Sequence, residues 1–353
     1  MAQTDVDVAI VGAGVVGCAA ASLLAARGRS VALLEAGPRI ADGVTSRNSG
    51  VVHSGLYYPP GSLKARTCVR GNRLLYEWAA AHGVAHAKVG KLVVARDEAD
   101  VPALEELFAN ARASGAPGVE LVNSAFARAR EPSLQCAAAI WCPETGIVDA
   151  VALARSLAHD AVQRGAMLLV NARVLGISGA WDLETARGNI RAARVINSAG
   201  LYADEIAALA GAGRYRIHPC RGDYFHLGGA SYRHLIYPAR KRGTLGLGVH
   251  VTLDLAGRVR LGPDAEYCAS KEDFTPREDK LAAFAQAARR LLGDVREDQL
   301  AWDGCGIRPK LRAPGESEEK DFVLSEDRPG FVNLIGIESP GLTAALALAE
   351  LLV

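Results

Sequence analysis

Hydrophobic and polar positions follow two different periods along the chain. The apolar run Val6–Val11, rich in β-branched residues and interrupted at Asp7, stops at Gly12, and Val15–Ala26 follows with small and apolar side chains and no polar stripe. The first reads as a strand covered on both faces and the second as a buried helix. A second apolar run over 30–34 ends in Glu35. The order is therefore strand, glycine turn, helix, strand, acid. Further along, Asp149 is placed to cap a helix over 149–164, strands are predicted at 167–170 and 174–177, and 194–200 reads as a buried strand ending in a small-residue turn. Near the C-terminus the strand Phe331–Ile335 precedes a helix expected over 342–352, with Ser339 as its cap and Pro340 at its first position.

The intervening segments have another character. Lys91–Ala95 reads as a strand, 101–114 and 279–292 as helices, and 220–227, 244–253 and 258–262 as members of an antiparallel sheet. A length of 353 residues provides for about two domains and a core large enough for an enzyme. Forty Lys plus Arg against 39 Asp plus Glu leave a net charge of +1, so no broad field exists to gather nucleic acid. The seven cysteines are odd in number and form no C-x-x-C pair, which argues against a disulfide framework or a zinc ribbon and predicts a reducing, cytoplasmic setting and no metal. Acidic residues at 5 and 7 predict no cleaved leader, and the longest nearly apolar run, 14–26, is shorter than the roughly 20 residues a membrane span requires.

The turn after the first strand, Gly12-Ala13-Gly14-Val15-Val16-Gly17, has the G-x-G-x-x-G spacing in the strand–turn–helix context that gives it meaning. Gly12 allows the tight turn, Gly14 lets a pyrophosphate approach the backbone, and Gly17 lets helix and strand pack closely. Glu35, just past the second strand, is placed to accept hydrogen bonds from the ribose hydroxyls of an adenosine.

A more specific signal follows at Asn48-Ser49-Gly50-Val51-Val52-His53-Ser54-Gly55-Leu56-Tyr57-Tyr58-Pro59 and Gly61-Ser62-Leu63-Lys64-Ala65. With Pro143-Glu144-Thr145-Gly146-Ile147-Val148-Asp149, His234-Leu235-Ile236-Tyr237-Pro238 and Gly336-Ile337-Glu338-Ser339-Pro340-Gly341-Leu342-Thr343, the chain resembles the L-2-hydroxyglutarate dehydrogenase/oxidase family, within the FAD-dependent oxidoreductases that include D-amino-acid and glycine oxidases. The resemblance implies an α/β fold with an α+β insertion: a discontinuous FAD-binding Rossmann-type domain (1–87, 150–217, 321–353) and a substrate domain built on a mixed or antiparallel sheet (88–149, 218–320). It implies noncovalent FAD, since the surroundings of Cys305 do not resemble the attachment motif of related flavoenzymes. Gly12, Gly14, Gly17, Glu35 and Ala36 would hold the ADP half, with Val174 beside the adenine and Ala199 and Gly200 close to the cofactor. Thr45, Ser46, Arg47 and Asn48 would run past the pyrophosphate. Ser339, Gly341, Leu342 and Thr343 would aim the last helix N-terminus at the flavin, where about half a positive charge stabilises an anion.

The implied reaction is oxidation of an L-2-hydroxy acid, 2-hydroxyglutarate-like, to the 2-oxo acid. It requires a hydride acceptor, a proton acceptor and cations for the carboxylate. His53 is the expected base, because an imidazole titrates near neutrality. Arg308 is the expected carboxylate fork, a geometry lysine lacks. His250 would bind the hydroxyl or a distal carboxylate, Lys310 a second carboxylate, and Tyr58, with Tyr57, would wall the pocket. Electrons would leave to O2 or a quinone, the latter with peripheral contact at the inner face of a membrane, and the cluster Arg240-Lys241-Arg242 is a solvated turn or a steering patch for acids or anionic lipid. Two other readings stay open at this point: an amine or amino-acid oxidase of the glycine oxidase type, and a noncatalytic flavoprotein acting as a redox or assembly partner.

Overall fold

The computed structural model describes residues 4–239 and 248–353; the basic cluster at 240–242 and the first part of the strand expected over 244–253 lie outside the described residues. Two large sheets meet across a central cleft. The first has eight strands, with the parallel order Met167–Leu169, Val31–Leu34, Val6–Val11, Gly188–Asn197, Phe331–Ile335 at its centre. Val8 and Ile10 pack on one face and Ala9 and Val11 on the other, so 8–11 are apolar because both faces are covered there, while Asp7 at the start of the strand exchanges hydrogen bonds with Ser30. One face carries the helices Val15–Ala26, Ala150–Gln163 and Gly341–Glu350.

The strand expected at 194–200 starts earlier, at Gly188, and ends at Asn197. Its first four residues pair antiparallel with Asp182–Thr185 in a hairpin that is buried on one face at Leu183 and Ile190, whereas Ala192 and 194–197 pair parallel with Val6–Val11. A polar hairpin half and a core half share one strand, and only the core half is apolar enough to stand out in the sequence. The longest helix, Leu63–Ala81, is also absent from the sequence reading. Lys64, Arg66, Arg70 and Arg73 interrupt its apolar pattern, although Lys64 is buried. Ser62 caps it by accepting the Ala65 N–H at 3.1 Å, and it packs along Gly341–Glu350, where Gly71 leaves room for the Thr343 carbonyl.

The second sheet has nine strands in the order Glu266–Tyr267, His218–Leu227, Val259–Leu261, Val251–Leu253, Leu235–Pro238, Lys91–Ala95, Ala138–Cys142, Glu120–Asn123, with Leu300–Lys310 paired antiparallel along His218–Leu227. Among the described residues only Leu235–Pro238 and Lys91–Ala95 are parallel, so the sheet is mixed. Its core includes Leu104 and Ala111 of the helix Val101–Ala113 and Phe284, Ala285, Ala288 and Leu291 of Leu281–Leu292. A small ribbon of Val51–Val52, Gly146–Val148 and His86–Ala87 carries the chain from one sheet to the other and delivers His53 to the cleft.

Candidate active site

The turn after the first strand is built as its glycines require. Gly12 has φ +101°, and a Cβ there would lie 2.6 Å from the Ser198 carbonyl oxygen. A methyl at Gly17 would overlap the Gly12 carbonyl, so this glycine sets how closely helix and strand approach rather than lining the cleft. At the helix N-terminus the Val15 N–H is received by Thr45 Oγ1 at 3.0 Å. Glu35 is fixed by two backbone donors, Ala13 N–H at 3.0 Å and Gly37 N–H at 2.9 Å, with its carboxylate at the cleft wall.

From this cradle a continuous cavity of about 1040 Å³ runs between the two sheets. It is at the top of the range of roughly 300–1,000 Å³ that accommodates drug-sized ligands, enough for a dinucleotide and a small substrate together. Gly12, Gly14, Glu35, Ala36, Thr45, Arg47, Asn48, Val174, Ala199 and Gly200 line one part, and His53, Tyr58, His250, Arg308, Lys310, Ser339, Gly341 and Leu342 line the other. Cys305 is buried on the strand Leu300–Lys310 and is not among the lining residues.

Three expected cofactor contacts are placed differently. Ser46 is exposed, its hydroxyl bonded to the Gly43 carbonyl, because the turn 43–46 points its side chain outward. Thr343 is buried behind the cavity wall, where Oγ1 accepts the His53 N–H at 3.0 Å. Ser339 lines the cavity but does not cap the last helix; that helix begins at Gly341, and Ser339 Oγ instead stands 3.3 Å from His53 Nε2 and 3.3 Å from the Tyr58 hydroxyl.

The reacting end is a set of buried polar groups. His53 is anchored through its main chain: its N–H to Thr343, its carbonyl accepting from Asn72 Nδ2 at 2.9 Å. Its imidazole therefore has no part in holding the turn, and Nδ1 is buried without a hydrogen-bond partner. Burial, and then the charges of Lys91 and His250, push its pKa down to about 3, so the imidazole is neutral at physiological pH. His250 is likewise lowered to about 3, chiefly by burial and against the bond its Nδ1 makes to the Gly248 carbonyl at 2.6 Å. That bond fixes the proton on Nδ1 and leaves Nε2 as an acceptor. A neutral imidazole in this tautomer suits a substrate hydroxyl and not a distal carboxylate.

Arg308 stands on the strand Leu300–Lys310 opposite Cys220. One terminal nitrogen donates to the Asp264 carbonyl at 3.0 Å; the other, NH1, is buried and unpartnered among the described residues. Gly222, on the neighbouring strand, leaves the space: a Cβ there would lie 2.7 Å from the guanidinium. An anchored guanidinium with one idle donor is built to receive an anion.

Lys310 is not a free cation. Its Nζ lies 2.7 Å from Glu338 Oε2, while Lys64 Nζ lies 3.1 Å from Oε1, so one buried carboxylate joins two buried lysines and the trio carries one excess positive charge. Burial alone would raise the Glu338 pKa, but the lysines overcome it and hold it at about 2. The carboxylate therefore contributes stability fully present above its ordinary value of 4.5 and lost as pH falls toward 2, on the order of 3 kcal/mol. Glu338→Gln is expected to lower the melting temperature at pH 7, and the gap to wild type should narrow between pH 4.5 and the lowest pH at which the protein stays folded; thermal unfolding across that range checks it. Neither Lys64 nor Glu338 stands out in the sequence, since only folding brings 64, 310 and 338 together.

A glycine cradle where Cβ atoms do not fit, an acid held at its edge, and orphaned cationic and imidazole groups at the far end of one cavity suit an ADP-bearing flavin with a small acid beside it. The class is that of a flavin-dependent oxidoreductase. The chain belongs to the FAD dependent oxidoreductase family, whose model matches residues 7–353. It is 35% identical to the L-2-hydroxyglutarate dehydrogenase, mitochondrial, of Arabidopsis thaliana, over 99% of this chain and 83% of the plant protein. It is 37% identical to the human enzyme of the same name over 76% of this chain, spanning 63% of the human length. It is also 30% identical to the glycerol 3-phosphate dehydrogenase of Caloramator mitchellensis over 97% of the chain and 72% of that protein. Among solved structures, the FAD-bound L-α-glycerophosphate oxidase of Mycoplasma pneumoniae matches with a TM-score of 0.88 and 26% identity, covering 98% of this chain and 93% of that one. The protein is thus an enzyme with FAD as its cofactor, which sets aside the noncatalytic reading. No helix among the described residues is long and apolar enough to cross a membrane.

Proposed function

We propose that the protein oxidises L-2-hydroxyglutarate to 2-oxoglutarate. The observation that carries this reading is the idle NH1 of Arg308 in the same cavity as two neutral imidazoles, in a chain 35–37% identical to the plant and human enzymes of that name. FAD, when bound, supplies the hydride acceptor. Arg308 pairs the C1 carboxylate, its other nitrogen held by Asp264 so that the fork does not have to be ordered on binding. His250, whose unprotonated Nε2 has no hydrogen to donate, lines the same pocket and leaves the single hydroxyl proton to His53. His53 takes the hydroxyl proton at Nε2, the nitrogen that faces Ser339, while Nδ1 keeps its own proton. The distal carboxylate is received by the excess positive charge of the Lys64–Glu338–Lys310 trio, with Tyr58 and Tyr57 closing the wall. Gly12, Gly14, Glu35, Ala36, Thr45, Arg47, Asn48, Val174, Ala199, Gly200, Gly341 and Leu342 would hold FAD, noncovalently. The domain division at 88, 150, 218 and 321 belongs to the same reading, as do O2 or a quinone as electron acceptor, a cytoplasmic setting and peripheral contact at the inner face of a membrane.

The test is a ranking of kcat/KM with an artificial acceptor across L-2-hydroxyglutarate, its D-enantiomer, L-lactate, glycine and glycerol 3-phosphate. L-2-hydroxyglutarate is expected first. A higher value for L-lactate would remove the distal-carboxylate assignment, and one for glycine would restore the amine oxidase reading.

A further inference from the structure

Lys91 opens the strand Lys91–Ala95 and is wholly buried. Among the described residues its ammonium has no hydrogen-bond or carboxylate partner. It faces aromatic rings instead: Nζ lies 4.8 Å from the Tyr57 centroid and 4.9 Å from that of Tyr237, two rings stacked at 6.5 Å and 22°. The Tyr237 ring in turn packs 3.9 Å from the His250 ring. Tyr57, Tyr237, His53 and His250 all line the cavity, and Lys91 sits behind them. A lone ammonium in the interior is costly, and ring faces compensate only part of that cost. A leucine or methionine would fill the position without the cost, so the charge itself calls for a role.

We infer that Lys91 is a positioning residue, acting from behind the Tyr57–Tyr237 pair to keep both His53 and His250 neutral until an anionic substrate arrives. The inference rests on the proposed role of His53 as proton acceptor. An imidazole already protonated could not take the hydroxyl proton, and the carboxylates of a bound substrate would offset the lysine charge and raise proton affinity only in the complex. The neighbouring groups do not neutralise the lysine. Cys142, paired with it on the adjacent strand, and Cys68, on the helix Leu63–Ala81, are thiols that burial pushes up to about 11 and about 12, so both are uncharged. The phenols of Tyr57 and Tyr237 belong to the two rings it faces, and Arg308 adds a second positive influence on His250. Burial lowers the pKa of Lys91 itself from its ordinary value of 10.5.

The test titrates the imidazoles directly, by NMR of FAD-loaded protein labelled with 15N-histidine, between about pH 3 and 8. The signals of His53 and His250 are identified by their loss in His53→Gln and His250→Gln. In the wild-type protein both are expected to titrate only at the acid end of the range. In Lys91→Met their midpoints should rise by roughly one pH unit or more, and Lys91→Arg should restore wild-type behaviour. Lys91→Gln is a second neutral variant, with the same shift expected. Wild-type midpoints near the ordinary 6.5, or neutral variants that titrate as wild type, would overturn the inference. The acid limb of kcat/KM for L-2-hydroxyglutarate should move upward in the same variants. Absence of any turnover of that acid by the wild type would overturn the substrate reading, while the NMR result would still decide the role of Lys91.

Discussion

His53→Gln is expected to retain FAD while reduction of the flavin by L-2-hydroxyglutarate slows by roughly 10²–10⁴-fold, the usual contribution of a positioned general base. The argument begins with the way the residue is held. Thr343 and Asn72 bind its amide and carbonyl, so replacing the imidazole leaves the turn anchored. The ring is buried and neutral, with Nε2 beside the cavity-lining Ser339 hydroxyl. Substrate affinity should change little, because the lost step is proton acceptance. Stopped-flow reduction under anaerobic conditions separates the two quantities: an unchanged limiting rate would remove the assignment, and a lost flavin spectrum would return His53 to a structural role.

Arg308→Ala should act on the other parameter. Truncating one partner of a buried charge pair costs about 2–5 kcal/mol, which corresponds to roughly 30- to 10³-fold or more in kcat/KM. Most of it is expected in KM, since the carboxylate is bound in both ground state and transition state. Arg308→Lys should recover only part of the loss: an ammonium has no planar fork, and it could not both hold the Asp264 carbonyl and present a second donor in the geometry that Gly222 makes room for. Unaltered apparent affinity for L-2-hydroxyglutarate in Arg308→Lys would show that the idle NH1 is not the anion site.

Much of the scaffold was legible because its signals are local. The run 8–11 is apolar at every position since both faces are covered, and Gly12, Gly14 and Gly17 stand at spacings dictated by one turn. The helix Leu63–Ala81 was hidden because its buried lysine and three arginines break the apolar stripe. Leu300–Lys310, the strand that carries Arg308, does not stand out as a strand in the sequence, since Asp303, Gly304 and Gly306 interrupt the alternation of a half-buried strand; a Cβ at Gly306 would overlap the Arg47 carbonyl. The candidate site was legible where single residues reach the cavity, as at His53, Arg308 and His250. It was not where function depends on which charges meet. Lys310 looked free until folding placed Glu338 against it, and Lys91 looked like the start of an ordinary strand until its ammonium was found beside two tyrosine rings.

The central claim is that this cavity oxidises L-2-hydroxyglutarate with FAD. The direct measurement is anaerobic mixing of the oxidised holoenzyme with that acid, following flavin absorbance and the keto product together. Bleaching of the flavin with one 2-oxoglutarate formed per FAD is the predicted result. A flavin that stays oxidised, or that is bleached as fast by glycine as by L-2-hydroxyglutarate, would contradict it.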